Sequence, residues 1–265
     1  MSFFGRIMRK GRNKAPARPQ PGGSPADVQA FYDQWSEGFV QIYGEVIQAY
    51  RTHEVSKLLH HQAQMMGLKA GMQVLDAGCG VGGPACFFAQ EYGVTVHGVT
   101  ISPKQVEMAQ ARVAQQGLQG QVHIRQGDYH HLHTLYDAGQ FDRVYFLEAL
   151  GHSFDQPAAL AAAQRVLRPW GKLYIKDLAL REVGDPDQQA RIYHHAQLIN
   201  RDYKYNVPDM HVLLSALRRL GFVIEQMRSS AFNNEDFEKL TIANEFQQHF
   251  GIGEDWNPAT YVFPV

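Results

Sequence analysis

Val74-Leu75-Asp76-Ala77-Gly78-Cys79-Gly80-Val81-Gly82-Gly83 is an apolar run that passes into a glycine-rich turn and then opens a helix. Glycine tolerates positive φ and lets a ligand approach the backbone, and in open α/β sheets that approach happens at the carboxyl end of a strand. The run differs from a dinucleotide-binding fingerprint in its acid. Asp76 stands just ahead of the first glycine, where a carboxylate can oppose a cationic α-amino group, so the predicted ligand bears an amino acid rather than a nicotinamide.

Outward from this turn, from Gly71 on, short apolar segments alternate with amphipathic ones, the pattern of βαβ units. Strands are predicted at 73–77, 95–99, 122–125, 141–147, 172–178, 222–227 and 260–263, and helices near 84–91, 103–116, 157–168, 187–203, 209–220 and 234–249. The fold class that follows is α/β, a doubly wound, mostly parallel seven-stranded sheet. Ahead of it, Ser24-Pro25-Ala26-Asp27 places an N-cap serine, a first-turn proline and an early acid in order, so a helix starts there. Residues 25–66 keep helical periodicity and carry Phe31, Tyr32, Trp35, Phe39, Tyr43 and Tyr50, with breaks expected near Ser36-Glu37-Gly38 and Arg51-Thr52-His53. Two or three helices should form a lid. The expected organisation is a flexible basic leader over 1–24, a helical cap over 25–70, and a catalytic domain over 71–265 with an acceptor-site insertion around 184–210.

With 265 residues and 45% hydrophobic content the chain can bury one sizeable core. Cys79 and Cys86 have neither disulfide-framework nor metal-ligand spacing, which suits a reducing, cytoplasmic setting. No apolar run approaches the roughly 20 residues of a membrane span, so stable membrane insertion is not expected. Net charge is −1, yet Arg6, Arg9, Lys10, Arg12, Lys14 and Arg18 cluster without an acid, leaving an acidic body that is no nucleic-acid binder by charge. The leader reads as a disordered basic segment; with Phe3, Phe4, Ile7 and Met8 beside the cations, a weak lie on an anionic membrane is the alternative.

Two further motifs follow the glycine turn in order: Gly127-Asp128-Tyr129 after the third strand, and Arg165-Val166-Leu167-Arg168-Pro169-Trp170-Gly171-Lys172 into the fifth. Together they resemble class I S-adenosylmethionine (SAM)-dependent methyltransferases over roughly residues 70–180, with Trp170 standing where that family has a glycine. The resemblance implies SAM as cofactor, held at Asp76, Gly78, Cys79 and Gly80, with Asp128 on the adenine amino group and Tyr129 stacked on the ring. The second strand ends Gly98-Val99-Thr100-Ile101-Ser102-Pro103-Lys104-Gln105, with Thr100 where most members place a ribose-binding acid. That form is similar to a subgroup containing tocopherol, cyclopropane-fatty-acid, sterol-like and geranyl diphosphate C-methyltransferases, and implies that Thr100, Ile101, Ser102 and Gln105 border the ribose and adenosine. Ser102-Pro103 also reads simply as a helix N-cap with proline at its first position.

For the methyl acceptor, Glu148 follows the fourth strand in Phe146-Leu147-Glu148-Ala149-Leu150-Gly151-His152-Ser153 and should face the sulfonium methyl, as a general base or as a cap or support of the cofactor. Methylating an alkene carbon leaves a carbocation, which is stabilised by π faces and quenched by a weak base; Tyr32, Trp35, Phe39 and Tyr43 could supply the faces, though such a stripe also reads as core. The segment from Arg191 to Asn206 is dense in donors, among them His195, Gln197, Asn200, Arg201, Lys204 and Tyr205, and is predicted either to hold an anionic acceptor group or to be a solvated helix face. It is similar to the corresponding segment of geranyl diphosphate C-methyltransferases, which implies a diphosphate accompanied by Mg²⁺. His194 and His195 lack an acid or cysteine at ligand spacing, so no protein metal site is expected. The leading expectation is SAM-dependent C-methylation of an alkene carbon of a small isoprenoid, a prenyl diphosphate, with Glu148 as base. O-, N- or ring methylation of a small metabolite, with His152 or Tyr32 orienting the nucleophile, is the alternative, and a SAM-binding protein without transfer activity is the third reading. The partner in each enzymatic case is a small molecule; assembly with identical copies is compatible with the sequence.

Overall fold

The computed structural model describes residues 17–48, 54–228 and 262–264. In chain order the elements are α1 (Pro25–Tyr43), α2 (Val55–Met66), β1 (Gln73–Ala77), α3 (Gly83–Tyr92), β2 (Thr95–Thr100), α4 (Pro103–Gln115), β3 (Val122–Gln126), β4 (Phe141–Leu147), α5 (Gln156–Val166), β5 (Leu167–Lys176), β6 (Leu178–Leu180), α6 (Pro186–Tyr203), α7 (Met210–Arg219) and β7 (Val262–Pro264), with 3₁₀ turns at Tyr129–Thr134 and Leu150–His152.

β1 to β5 form one parallel sheet in the order β3-β2-β1-β4-β5, so the chain reverses direction across the sheet beside β1, where β1 and β4 are adjacent. Strand residues alternate between two cores as a period of two requires. Val74, Val96, Tyr145 and Leu147 pack on one face with α2, α3 and α4, while Leu75, Val99, Val144 and Phe146 pack on the other with α5 and α7. Helices therefore cover both faces, and the doubly wound α/β expectation holds.

The expected seven strands are corrected to five in this sheet among the described residues. The segment predicted as 172–178 starts earlier, at Leu167, because Leu167 already pairs with Phe141. It ends at Lys176 because Asp177 turns its carboxylate onto the backbone, accepting from the N–H groups of Leu178 and Gly151. After that interruption β6 pairs antiparallel with β7 in a separate two-stranded ribbon. The predicted strand 222–227 joins no ladder among the described residues; Val223 is 86% exposed. The predicted helix 234–249, the predicted break at 51–53, Tyr50 and the cations from Arg6 to Lys14 lie outside the described residues.

α1 begins as read. The Ser24 hydroxyl and the Asp27 carboxylate cap each other's backbone in a reciprocal box, with Pro25 in the first turn. The break expected at Ser36–Gly38 is absent: the Ser36 hydroxyl donates to the Tyr32 carbonyl at 2.5 Å, turning a polar side chain back onto the helix, and the helix runs on to Tyr43. Residues 18–22, within the expected leader, cross α6. The Gly22 N–H donates to the Tyr205 carbonyl at 2.7 Å, and the Asn200 amide donates to the Gln20 carbonyl at 2.8 Å. Among the described residues no helix is long and apolar enough to cross a membrane.

Candidate active site

The carboxyl ends of β1 to β4 open into a cleft, and Pro25, Val28 and Tyr32 of α1 cover it. Gly78, Gly80 and Gly127 line it and present bare backbone. At Gly78, φ is 92° and an added Cβ would sit 2.5 Å from the Ala149 Cβ, so only glycine permits both the turn and the close approach of the β4 loop. Thr100, Ile101 and Gln105 form the next wall. The Thr100 hydroxyl donates to the Gln105 amide oxygen at 2.6 Å and accepts from the Ser102 N–H at 3.5 Å, which leaves the Gln105 amide N–H groups for a ligand. Ser102 does not line the cleft: it is buried, caps α4 at the Gln105 N–H, and donates to Asp33 at 2.6 Å.

Asp128 and Tyr129 line the far end. Burial pushes the Asp128 carboxyl up, but two hydrogen bonds with His130, at 2.5 and 2.9 Å, outweigh it and hold the group below the usual carboxylate range. It stays anionic at pH 7. Tyr129 is fixed by donation to the Ala149 carbonyl at 3.0 Å. Asp76 and Cys79 are not on the cleft lining. Asp76 lies beneath the glycine turn, 2% exposed, accepts from the Tyr145 hydroxyl at 2.9 Å, and burial raises its carboxyl to about 7. Burial likewise pushes the Cys79 thiol up.

Glu148, His152 and Tyr32 also line the cleft, from the end of β4, the following 3₁₀ turn and α1. Glu148 has φ 52°, a left-handed conformation that costs an L-residue about 1–3 kcal/mol and tends to persist at functional sites. The neighbouring strand holds it at both ends: its N–H donates to the Lys176 carbonyl at 2.6 Å, and its carboxylate pairs with the Lys176 ammonium. The Tyr32 hydroxyl and His152 Nε2 are 2.7 Å apart, and His152 Nδ1 lies 3.2 Å from the Lys204 carbonyl. Burial depresses the His152 imidazole to about 4, so it is neutral at pH 7, and burial raises the Tyr32 phenol.

The other lid rings stand behind this front. Phe39 and Tyr43 are buried with Phe31 in an aromatic cluster that Tyr32, Trp35 and Tyr203 flank, and none of Trp35, Phe39 and Tyr43 lines the cleft. The α6 donors do not line it either. Asn200 is buried and spans Gln20 and the Val207 N–H, Gln197 accepts from the Gln20 N–H, and Arg201 pairs with Asp202. His195 packs beside His194 at 5.5 Å, the Lys204 ammonium donates to the Arg201 carbonyl, and the Tyr205 hydroxyl donates to Asp177. These residues bind their own chain. Among the described residues no group of three or more His, Cys, Asp or Glu side chains could hold a metal ion.

The family model described as mycolic acid cyclopropane synthetase matches residues 33–239, which takes in most of α1, the glycine turn and nearly all of the cleft. The chain belongs to that family. Within it sits the class I SAM-dependent methyltransferase fold that the motifs resemble. The O-methyltransferase resE of Aspergillus sclerotiorum is 33% identical over 211 residues, 74% of this chain and 76% of that protein. The methyltransferase GfsG of Streptomyces halstedii is 39% identical over 118 residues, 44% of this chain, and the matched stretch spans 42% of GfsG. Among solved structures the [4+2]-cyclase SpnF shares the fold, with a TM-score of 0.70 at 22% identity over 88% of this chain and 84% of that one.

Three residues that position this family site were not singled out from sequence. Asp33 ties α1 to the start of α4, accepting from the Ser102 hydroxyl and, at 3.4 Å, the Lys104 N–H. Asp177 lies under the 3₁₀ turn of His152, accepting from the Gly151 N–H at 2.9 Å, and burial raises it to about 6. Lys176 orients Glu148. Asp177 and Lys176 were legible only as the polar end of an apolar strand, a weak signal shared by many surface positions.

Proposed function

We propose that the protein is a SAM-dependent methyltransferase acting on an uncharged small molecule, and that the atom methylated is a hydroxyl oxygen. The observation that carries this is the composition of the cleft. Among the described residues its lining holds no arginine or lysine and holds two carboxylates, Asp128 and Glu148, and it presents the hydrogen-bonded Tyr32–His152 pair. Lys176 stands behind Glu148 with its charge already opposed. A diphosphate would meet net negative charge there, whereas a neutral alcohol or phenol meets a hydroxyl and an imidazole within hydrogen-bonding reach.

The residues fit SAM. Bare backbone at Gly78 and Gly80 suits the amino-acid portion, the neutral Thr100–Gln105 pair the ribose hydroxyls, and Asp128 with Tyr129 the adenine. SAM supplies an activated methyl on a cationic sulfur. The chain's own tasks are to exclude water with α1, align the acceptor oxygen, and take its proton at the Tyr32–His152 pair. For so reactive a donor, alignment accounts for much of the rate.

A second reading, C-methylation of an isoprenoid alkene with Glu148 as base, is favoured by the placement of Glu148 in the cleft at a strained φ. Against it, the carboxylate is already engaged in an ion pair with Lys176, and three of the four rings read as cation stabilisers, Trp35, Phe39 and Tyr43, lie off the cleft. Incubation with methyl-labelled SAM and a panel of alcohols, phenols, amines and prenyl diphosphates decides. A labelled methyl ether from a neutral acceptor, with Glu148→Gln nearly as active as wild type, is expected. Label only in prenyl diphosphates, with a roughly 10²–10⁴-fold kcat loss in Glu148→Gln, would replace this reading by the alkene one.

A further inference from the structure

The Tyr32–His152 pair has a direction. Backbone carbonyls only accept, so the 3.2 Å contact between His152 Nδ1 and the Lys204 carbonyl places the imidazole proton on Nδ1. Burial keeps the ring neutral, so Nε2 carries a lone pair and the Tyr32 hydroxyl, 2.7 Å away, donates to it. The tyrosine oxygen is left with its own lone pairs. Packing holds the ring's orientation, so the two nitrogens keep these partners: Tyr205 meets it edge-on with centroids 4.5 Å apart, and Tyr32 does so at 5.1 Å. The Lys204 carbonyl is aimed by an unusual backbone, since Lys204 ends α6 in the left-handed conformation with φ 53° and its N–H bonded to the Asn200 carbonyl.

We infer that Tyr32, not His152, touches the acceptor, and that the acceptor's proton is relayed through the Tyr32 hydroxyl to His152 Nε2, with the Lys204 carbonyl fixing the imidazole in the tautomer that can receive it. This rests on the O-methylation reading above. In the step, the acceptor oxygen forms a bond to the methyl carbon as the carbon–sulfur bond breaks and its electron pair stays on sulfur. The acceptor's O–H proton passes to the Tyr32 oxygen while the Tyr32 proton passes to Nε2. The products are the methyl ether, neutral S-adenosylhomocysteine and an imidazolium whose Nδ1–H remains on Lys204; solvent then takes the proton. Lys204 is a positioning residue that acts through its main chain, so its side chain is dispensable to the relay.

The first test needs neither cofactor nor acceptor. In protein labelled with ¹⁵N-histidine, with His152 assigned by its loss in His152→Gln, the Nδ1 resonance should be that of a protonated nitrogen. Nε2 should be that of a hydrogen-bonded acceptor that moves toward the free-acceptor value in Tyr32→Phe. A proton on Nε2 overturns the relay. The second test uses whichever acceptor of the panel yields the ether. Tyr32→Phe and His152→Gln should each lower kcat at least tenfold with SAM affinity unchanged, and the double variant should lose little more. If His152→Gln is impaired and Tyr32→Phe is not, the relay fails while O-methylation stands. If neither changes turnover, O-methylation by this pair fails as well.

Discussion

The Asp33 carboxylate of α1 and the Ser102 hydroxyl at the start of α4 meet at 2.6 Å, which fastens the lid to the helix whose first turn lines the cofactor cleft. Lys104 adds a second tie through an ion pair with Glu37 at 2.9 Å. The Ser102–Asp33 bond is charge-assisted and partly buried, so it should be worth about 1.5–3 kcal/mol, whereas the exposed Lys104–Glu37 pair should contribute little. Asp33→Ala should therefore speed amide hydrogen exchange across 25–43 by one to two orders of magnitude and leave the sheet protected. Exchange rates in α1 equal to wild type would show that aromatic packing alone holds the lid.

SAM affinity should respond differently to the two acids of the cofactor motifs. Asp128 lines the cleft as an anion, and removing it deprives a bound adenine of its acceptor, a loss of about 1–3 kcal/mol. Asp76 lies beneath the turn on Tyr145, so Asp76→Asn, which keeps an acceptor for that hydroxyl, should cost SAM much less than Asp128→Ala. Calorimetric titration of both folded variants checks the order; a larger loss at Asp76→Asn would mean that its charge reaches the ligand's ammonium group.

Gly151 has no side chain to touch a ligand, yet a Cβ there would lie 2.0 Å from Cζ of Tyr205. Tyr205 packs on His152 and donates to Asp177, so Gly151→Ala must push the ring away from both. Overpacking of this kind costs about 1–3 kcal/mol. The expected result is a melting temperature several degrees lower and a disturbed His152 resonance. An unchanged spectrum would show that the loop relaxes without moving Tyr205.

Sequence resolved this site where its chemistry is local. The glycine turn, Thr100 with Gln105, and Asp128 with Tyr129 each sit within a few residues of the strand end that positions them, so the family resemblance carried by those short motifs was enough to point to them. Glu148, His152 and Tyr32 were also legible, because a strand end and an aromatic lid helix meet at that edge in a doubly wound sheet. The α6 donors misled for a physical reason. A helix dense in amide and guanidinium groups can satisfy a ligand or its own chain, and Asn200 bonds to Gln20, 180 positions away, a pairing no local pattern encodes. Asp33 hid likewise, its partner being 69 residues downstream. The lid rings Tyr32, Phe39 and Tyr43 share one helix face and differ by their height along α1: only Tyr32 stands level with the cleft, while Phe39 and Tyr43 pack farther along the helix with Phe31. The strand count exceeded the ladder because apolar alternation over 222–227 does not by itself supply a paired neighbour.

Stability should depend on pH with two opposing slopes. Asp76 is raised from 3.8 to about 7, so the folded chain holds this proton more tightly than the unfolded chain does. Its contribution is fully present below about pH 4 and is lost as pH rises toward 7. His152 is depressed from 6.5 to about 4, so the unfolded chain protonates first; that contribution is complete above pH 6.5 and is lost as pH falls toward 4. Moving a pKa by one pH unit between the unfolded and folded chain changes stability by about 1.4 kcal/mol, so either group alone could tilt the profile by a few kcal/mol, and in wild type the two partly cancel. Single substitutions separate them. Urea unfolding at pH 4.5, 5.5, 6.5 and 7.5 should show Asp76→Asn gaining stability relative to wild type as pH rises, because it no longer carries the buried charge. His152→Gln should lose less than wild type as pH falls. Should Asp76→Asn run parallel to wild type across the range, the carboxyl is ionised beneath the glycine turn throughout, and a cation nearer than Tyr145 must compensate it.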